Sequence, residues 1–276
     1  MVRDSSSEDT LTTRLIPSAL LFLASALGST ACADDELDID IAFGQDRPLV
    51  QGQVNNGDPA VVALTVQGQQ FCTGTLIRPD VVLTAAHCLP PNMPVGDYSD
   101  IEVFFGTDVF GAGEFASVSD GWTHPGWSED EFPNDIGLIR LAQPVAVTPI
   151  PIRTSSMRNN MVGEQVRITG FGITQNDAHD SGLKRVATTE VSQVYQGLFD
   201  MAMVPSGICS GDSGGPALIL NDGIEEVAGI HSRSDCVSTS IDTSVPDYLD
   251  AIYAFIGESP SICDSDECDD ASPRSR

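Results

Sequence analysis

The sequence predicts an all-β protein of sandwich or barrel architecture that ends in one short helix. Three observations carry this expectation. Short β-branched and apolar runs recur along the middle of the chain at strand spacing. Turn formers separate them, with 25 glycines and 17 prolines in 276 residues. Long helical patterns are scarce, and the clearest is residues 244–256, where Leu249, Ile252, Tyr253 and Ile256 fall at helical spacing.

In chain order, an export signal comes first. Arg14 precedes an apolar run from Leu15 to Leu27, and small residues follow as far as Ala33. The run is short for a membrane span and has the length and flanks of a signal-peptide core. Two cleavage readings stand. Ala31-Cys32-Ala33 fits the small-x-small rule and ends the signal at residue 33. Ser29-Thr30-Ala31-Cys32 resembles a bacterial lipobox, in which Cys32 becomes a lipid-bearing first residue. No other segment is expected to span a membrane. Residues 34–48 read as a short acidic propeptide or linker.

Strands are expected at residues 60–66, 73–77, 81–84, 101–105 and 136–141, with the turn Arg78-Pro79-Asp80 between the second and third. A proline-rich stretch from Pro144 to Pro151 follows. A second set is expected at residues 165–172, 217–220 and 226–230. Beyond the helix, residues 259–276 form an acidic tail.

Charge and cysteine usage narrow the function classes. There are 40 acidic residues against 13 basic ones, for a net charge of -27. That balance repels phosphates and anionic lipid surfaces, so nucleic-acid binding is not expected. No EF-hand spacing is present, and no metal site is expected. Seven cysteines occur, and either cleavage reading withdraws Cys32 from pairing. Cys72, Cys88, Cys209, Cys236, Cys263 and Cys268 remain, enough for three disulfides in an oxidising compartment. No CxxC pair exists, so neither a zinc ribbon nor a thioredoxin-like site is indicated.

Three segments carry chemistry. Gly211-Asp212-Ser213-Gly214-Gly215-Pro216 surrounds a serine with glycines, which let a backbone turn sharply and approach a substrate closely. A serine hydroxyl is a weak nucleophile that needs a neighbouring base and N–H donors for the oxyanion it creates. Taken alone, such a cluster is more often a surface turn. Leu83-Thr84-Ala85-Ala86-His87-Cys88 puts a histidine at the end of an apolar strand, where a lone histidine is usually structural. Asn134-Asp135-Ile136 opens a buried strand with an acid, which is costly unless the acid is paired; a strand-capping turn is the plainer reading.

Together, Thr84-Ala85-Ala86-His87-Cys88, Asn134-Asp135-Ile136 and Gly211-Asp212-Ser213-Gly214-Gly215-Pro216 resemble the chymotrypsin/trypsin-like serine protease family. Their order, His then Asp then Ser, is that family's order. Phe71-Cys72-Thr73-Gly74, His124-Pro125, Gly170-Phe171-Gly172 and Gly229-Ile230-His231-Ser232 extend the likeness over most of residues 49–256. The resemblance implies two six-stranded antiparallel Greek-key β-barrels, over about residues 49–150 and 151–258, followed by the short helix. It implies a catalytic triad of His87, Asp135 and Ser213, with an oxyanion hole from the N–H groups of Gly211 and Ser213. Gly207, Ile208, Ser232, Arg233, Ser234 and Ser244 take the substrate-binding positions. The implied disulfides are Cys72–Cys88 and Cys209–Cys236, which leaves Cys263 and Cys268 to close a small loop. An activation ion pair joins Asp212 to a new amino terminus at Leu49.

The reading is therefore a secreted or periplasmic serine endopeptidase, expected to be a monomer, acting on polypeptides without a cofactor; a catalytically silent homologue used as a binding module is the alternative. Several positions depart from the family pattern. Gly207 stands where trypsin has Asp, Arg233 where an aromatic is usual, and Arg47-Pro48 precedes Leu49. A substrate side chain entering beside Gly207 and Ile208 gains from apolar burial and finds no counter-charge, so an uncharged residue of medium to large size is expected there. A small shift of alignment puts the Asp242 carboxylate in that pocket instead and reverses the preference.

Overall fold

The structure, a computed structural model, describes residues 52–92, 97–131 and 133–258. Among these residues two closed antiparallel barrels and one α-helix are built from thirteen strands. The first barrel contains β2 (Val61–Val66), β3 (Gln69–Arg78), β4 (Val81–Thr84), β5 (Glu102–Gly106), β6 (Gly113–Thr123) and β7 (Gly137–Leu141). Its strands run β2-β3-β4-β7-β6-β5, and β5 closes on β2. The second contains β8 (Gln165–Gly170), β9 (Arg185–Val194), β10 (Leu198–Met201), β11 (Pro216–Asn221), β12 (Ile224–Ser234) and β13 (Ser240–Ser244). Its order is β9-β10-β13-β12-β11-β8, closed by β8 on β9, and the short β1 (Gln53–Val54) extends the β9 edge. The all-β, two-barrel expectation holds.

The strand sequences explain how the barrels meet. In β2 five successive residues are buried, because both faces of the strand are covered. Val62 and Leu64 point into the first barrel with Leu76, Val82 and Ile139. Val61 and Ala63 turn the other way and pack with Phe104, Val109 and Phe171, the last supplied by the segment after β8. The main core also takes in Leu218, Val227 and Ile230 from the second barrel, so the two barrels share a continuous apolar seam. Closure of both rings leaves few unpaired strand edges.

The expected helix over residues 244–256 is realised in two parts. Pro246 lacks a backbone donor and sits at the start of a 3-10 stretch, Val245–Tyr248, and α1 (Leu249–Ile256) continues from it. Gly257, in the left-handed region at φ 78°, ends the helix. Ile252 joins the common core, and Arg140 of β7 donates to Phe255 O at 2.6 Å while lying 4.8 Å from the Phe255 ring. The helix at the end of the second barrel is thus fastened to the first.

Lys184, the only lysine of the chain, is 1% exposed. Its ammonium donates to Asp58 O at 2.8 Å and lies 5.5 Å from the Phe171 ring. Burial lowers its pKa to about 8, against the opposing charge of Asp58. A lysine with that pKa reacts readily when accessible, so its protection reports directly on burial. Treatment of the folded protein with an amine-reactive acetylating reagent at pH 8, followed by peptide mass spectrometry, is expected to leave Lys184 unmodified, with full modification after denaturation. Rapid acetylation in the folded protein would contradict the packing described.

Candidate active site

His87 sits on a single 3-10 turn, Ala86–Cys88, directly after β4. Ala85 and Ala86 are fully buried, so the turn packs against the core, while the His87 side chain stays partly exposed. A disulfide from Cys88 to Cys72 of β3 fixes the end of the turn. Because those sulfurs are joined, the neighbouring trio Cys72, His87 and Cys88 offers no thiolate pair to a metal.

Asp135 lies just before β7 and is 1% exposed. Three donors reach its carboxylate and a fourth its backbone carbonyl. Oδ1 accepts from the His87 backbone N–H at 2.9 Å, and Oδ2 lies 2.8 Å from His87 Nδ1. Ser232, on β12 of the second barrel, donates its hydroxyl to Oδ2 at 2.5 Å, while Thr243 of β13 donates to the Asp135 carbonyl at 3.1 Å. Burial is the largest influence on this carboxyl and pushes it upward; the hydrogen bond and charge of His87, with Ser232 and the His87 N–H, outweigh it and hold the group below the usual range. The turn leading in is also held. Asn134 has φ 70°, and its N–H donates to Tyr248 Oη at 2.9 Å.

Ser213 belongs to the loop between Cys209 and β11, which the first barrel grips. Thr73 of β3 donates its N–H to Ser213 O at 2.8 Å and its hydroxyl to Gly211 O at 2.8 Å, and Gln70 donates to Gly211 O at 2.9 Å. Gly211 and Gly214 have φ 95° and 82°, and a Cβ on Gly214 would lie 2.1 Å from Thr84 Oγ1. Glycine is required at both positions. Among the described residues, the N–H groups of Gly211 and Ser213 donate to no protein acceptor. The link from His87 to the Ser213 hydroxyl is not closed by a hydrogen bond; bonds of this kind commonly tighten only when substrate seats.

Two openings meet at this point. One, of about 340 Å³, is lined by His87, Asn92, Trp127, Glu129, Ser232 and Arg233. The other, of about 310 Å³, is lined by Ile208, Cys209, Ser210, Ser213, Ser232, Arg233 and Ser234. Ser232 and Arg233 form the sill between them. Arg233 also donates to Glu129 O at 2.6 Å, tying β12 to the loop before Asp135. The Cys209–Cys236 disulfide braces the second opening.

Not every position expected at the substrate pocket is found on that lining. A Cβ on Gly207 would lie 2.2 Å from Met203 Sδ, so Met203 occupies the space beside it. Ser244 pairs with Gly229 at the far end of β13 and donates to Asp247; the register instead sets Ser240 opposite Ser234. Asp242 is fully buried against His231 rather than open to a ligand. Leu49, Cys32, Cys263 and Cys268 lie outside the described residues. Sequence reasoning missed Thr243, Tyr248 and the hydroxyl role of Ser232, each of which reaches Asp135 or its turn from more than 90 residues away in the chain.

Asp212 is fully buried and accepts from Cys209 N at 2.9 Å and Gly172 N at 2.8 Å. Burial pushes its carboxyl up to about 6, against those two hydrogen bonds and the charges of His231 and Arg185.

The depressed carboxyl of Asp135 has a consequence for acid stability. A carboxyl held lower in the folded than in the unfolded chain contributes stability that is present above the unfolded value and is lost as pH falls through the folded one. Thermal melts from pH 7 down to pH 2 are expected to show a shallower loss below about pH 4 in Asp135→Asn than in the parent protein. Parallel curves would contradict the pairing.

Comparison with known proteins places this geometry. The family model described as Trypsin matches residues 50–252. A trypsin of Saccharopolyspora erythraea is 32% identical over 179 residues, covering 59% of this chain and 77% of that protein. Vitamin K-dependent protein C of Mus musculus is 26% identical over 260 residues, 81% of this chain and 55% of that protein. Kallikrein-7 of Homo sapiens is 28% identical over 223 residues, 73% of this chain and 80% of that protein. The chain thus spans about three quarters of the bacterial relative and about half of the protein C that it matches. With the family match extending over both barrels, the chain belongs to the trypsin family of serine endopeptidases.

Proposed function

We propose that this protein is an exported endopeptidase that hydrolyses polypeptides through His87, Asp135 and Ser213. The observation that carries the reading is the buried Asp135 carboxylate facing His87 Nδ1 at 2.8 Å, with Ser232 on its other side. Asp135 fixes the imidazole with its proton on Nδ1, so that Nε2 faces the cleft as a base. Ser213 Oγ attacks the scissile carbonyl as its proton passes to Nε2. The oxyanion that forms accepts from the idle N–H groups of Gly211 and Ser213. Collapse of the tetrahedral species breaks the C–N bond, and His87 returns the proton to the departing amine. Water then repeats the sequence on the acyl-enzyme, releasing the acid and restoring the serine. The steps balance without a cofactor.

Export is supported by the two disulfides and by the signal-like run that ends before Cys32 or at Ala33. Among the described residues no helix is long and apolar enough to cross a membrane. A lipid on Cys32 tethers the enzyme to the cell surface if the lipobox reading holds. The product of this maturation acts as a monomer, with residues 49–258 as the protease domain.

Activation follows from Asp212. A carboxyl whose folded pKa is raised favours folding most below the unfolded value, near 3.8, and that contribution is lost as pH climbs through about 6. Above that pH an ionised, fully buried Asp212 needs a cation. The amino group released near Leu49 supplies one and locks the loop that carries Gly211 and Ser213.

Two outcomes test this function. A serine-directed phosphonate is expected to label Ser213 alone, and Ser213→Ala and His87→Ala each to lose peptidase activity by several orders of magnitude. A folded protein that takes no label would point to the silent homologue. For activation, Asp212→Asn is expected to raise the melting temperature above pH 6 in protein still carrying residues 34–48, yet to abolish activity in the processed form. Full activity with residues 34–48 still attached would refute the activation step.

A further inference from the structure

Arg185, the first residue of β9, is buried and touches none of the reacting groups. Its guanidinium folds the loop between β8 and β9 around itself. Nη1 donates to Gly172 O at 3.1 Å, to Asp180 O at 3.2 Å and to Leu183 O at 3.3 Å. Nη2 donates to Asp180 O at 3.1 Å and to Asp180 Oδ2 at 3.2 Å. Asp180 in turn accepts from Thr174 N at 3.0 Å and from Thr174 Oγ1 at 2.7 Å. A guanidinium keeps its charge in a protein, so the bond to the Gly172 carbonyl is charge-assisted and stronger than one between neutral groups.

Beyond Gly172 the bonding continues towards Ser213. The Gly172 carbonyl and the Ile173 N–H belong to one peptide unit, and that N–H donates to Ser210 O at 2.9 Å. The Ser210 carbonyl and the Gly211 N–H belong to a second unit. Among the described residues the cis peptide bonds are those preceding Pro91 and Pro205, so both of these units are trans, with C=O and N–H pointing in opposite directions. Drawing the Ser210 oxygen towards Ile173 therefore turns the Gly211 N–H the other way, where it meets no protein acceptor among the described residues. The two segments lie close together. A Cβ on Gly172 would stand 2.7 Å from Ser210 O and 2.6 Å from Asp212 Cγ, so only glycine permits the approach.

We propose that Arg185 is a positioning residue for the oxyanion: it heads a line of hydrogen bonds, from its guanidinium to Gly172 O and from Ile173 N–H to Ser210 O, that fixes and polarises the Gly211 N–H. The inference rests on the serine-endopeptidase reading and deepens it. Hydrogen bonds in a line polarise one another, so a cation at the head makes the N–H at the far end a stronger donor. Orientation matters as well. Gly211 has φ 95°, and the peptide unit on its far side is held separately, its carbonyl by Gln70 and Thr73 and the Asp212 N–H by Cys209 O at 3.0 Å. On the near side, among the described residues, the Ser210 carbonyl accepts from Ile173 alone. Loosening that one bond frees the unit to turn and takes the Gly211 N–H off the oxyanion.

The backbone of Arg185 strengthens the assignment. It pairs with Val54 of β1 on one side and with Gly170 of β8 on the other. A Cβ on Gly170 would lie 2.1 Å from Asp212 Oδ1, so β8 is the shelf against which Asp212 rests. Burial pushes the Asp212 carboxyl up, and two hydrogen bonds with the charges of His231 and Arg185 oppose that push. One of those bonds comes from the Gly172 N–H, on the residue whose carbonyl Arg185 holds. The segment leading back to Leu49, the buried Asp212 and the Gly211 N–H are thus all reached from Arg185.

The test begins with phosphonate titration of the processed parent enzyme, which scores the serine-endopeptidase reading separately; failure to label removes that reading and this inference together. With a parent that labels, kcat and KM are measured per labelled site, which discounts the misfolded fraction that a merely structural role would change. Affinity is measured alongside for a peptidyl trifluoromethyl ketone, whose tetrahedral adduct carries an oxyanion. Removing an oxyanion donor outright costs about 10²–10³ in kcat, and loosening one costs less. In Arg185→Gln, kcat is expected to fall by about tenfold or more with KM within about twofold, and ketone affinity to fall in step with kcat/KM. Arg185→Lys keeps a charged donor and is expected to recover about threefold or more of the lost kcat. Asp180→Ala releases both the guanidinium and Thr174, the neighbour of Ile173. It is expected to lower kcat by about threefold or more, and it decides the matter where Arg185→Gln does not fold. An unchanged kcat, a loss confined to KM, or a ketone affinity that holds while kcat falls would overturn the proposal.

Discussion

The Asp135 carboxylate is buried where the two barrels meet, and its donors come from both sides of the seam. His87 belongs to the first barrel; Ser232, which binds the same carboxylate, and Thr243, which binds the Asp135 carbonyl, belong to the second. A carboxylate without such partners is expensive to bury, and removing one partner leaves the rest exposed to that cost. Relative sliding of the barrels is therefore opposed at the point where chemistry is expected. Apolar packing through Val61, Ala63, Phe104 and Phe171 brings the barrels together, but it is not directional. The carboxylate adds the direction.

The loop around Ser213 uses the reverse arrangement. It belongs to the second barrel, yet Gln70 and Thr73 of β3 hold the carbonyls of Gly211 and Ser213. The Gly211 and Ser213 N–H groups themselves bond to no protein acceptor among the described residues. Two disulfides frame the assembly, one under His87 and one beside the second opening. Each half of the site is thus carried by one barrel and positioned by the other, which is why neither barrel alone supplies it.

Much of this was legible in the sequence because it is local. The strands of the first barrel are short runs of β-branched residues, and His87, Asp135 and Ser213 each sit in a distinctive string. What escaped is non-local or weakly patterned. Strand β6 is mostly exposed and rich in glycine and polar residues, and β9 alternates buried Val191 with exposed polar neighbours, so neither reads as an apolar run. Strand β13 is too short and polar to stand out, and with it went the pairing of Ser234 with Ser240 and of His231 with Asp242. A register is a property of two strands, and the pairing of Ser244 with Gly229, away from the opening beside Ser213, could not be read from one of them. The helix began later than its apolar spacing suggested because Pro246 favours the tighter 3-10 geometry at its entrance.

The central claim, that Asp135, gripped from both barrels, holds a proton-bearing His87 Nδ1, is open to direct observation. Proton NMR of the histidine-¹⁵N-labelled protein should show a strongly downfield, slowly exchanging Nδ1–H resonance assigned to His87. A second such signal from the His231–Asp242 pair is distinguished by its loss on substitution of His231. The account predicts that the His87 signal disappears in Asp135→Asn and persists in Ser213→Ala. Its absence from the folded parent protein, or its survival in Asp135→Asn, would contradict the account.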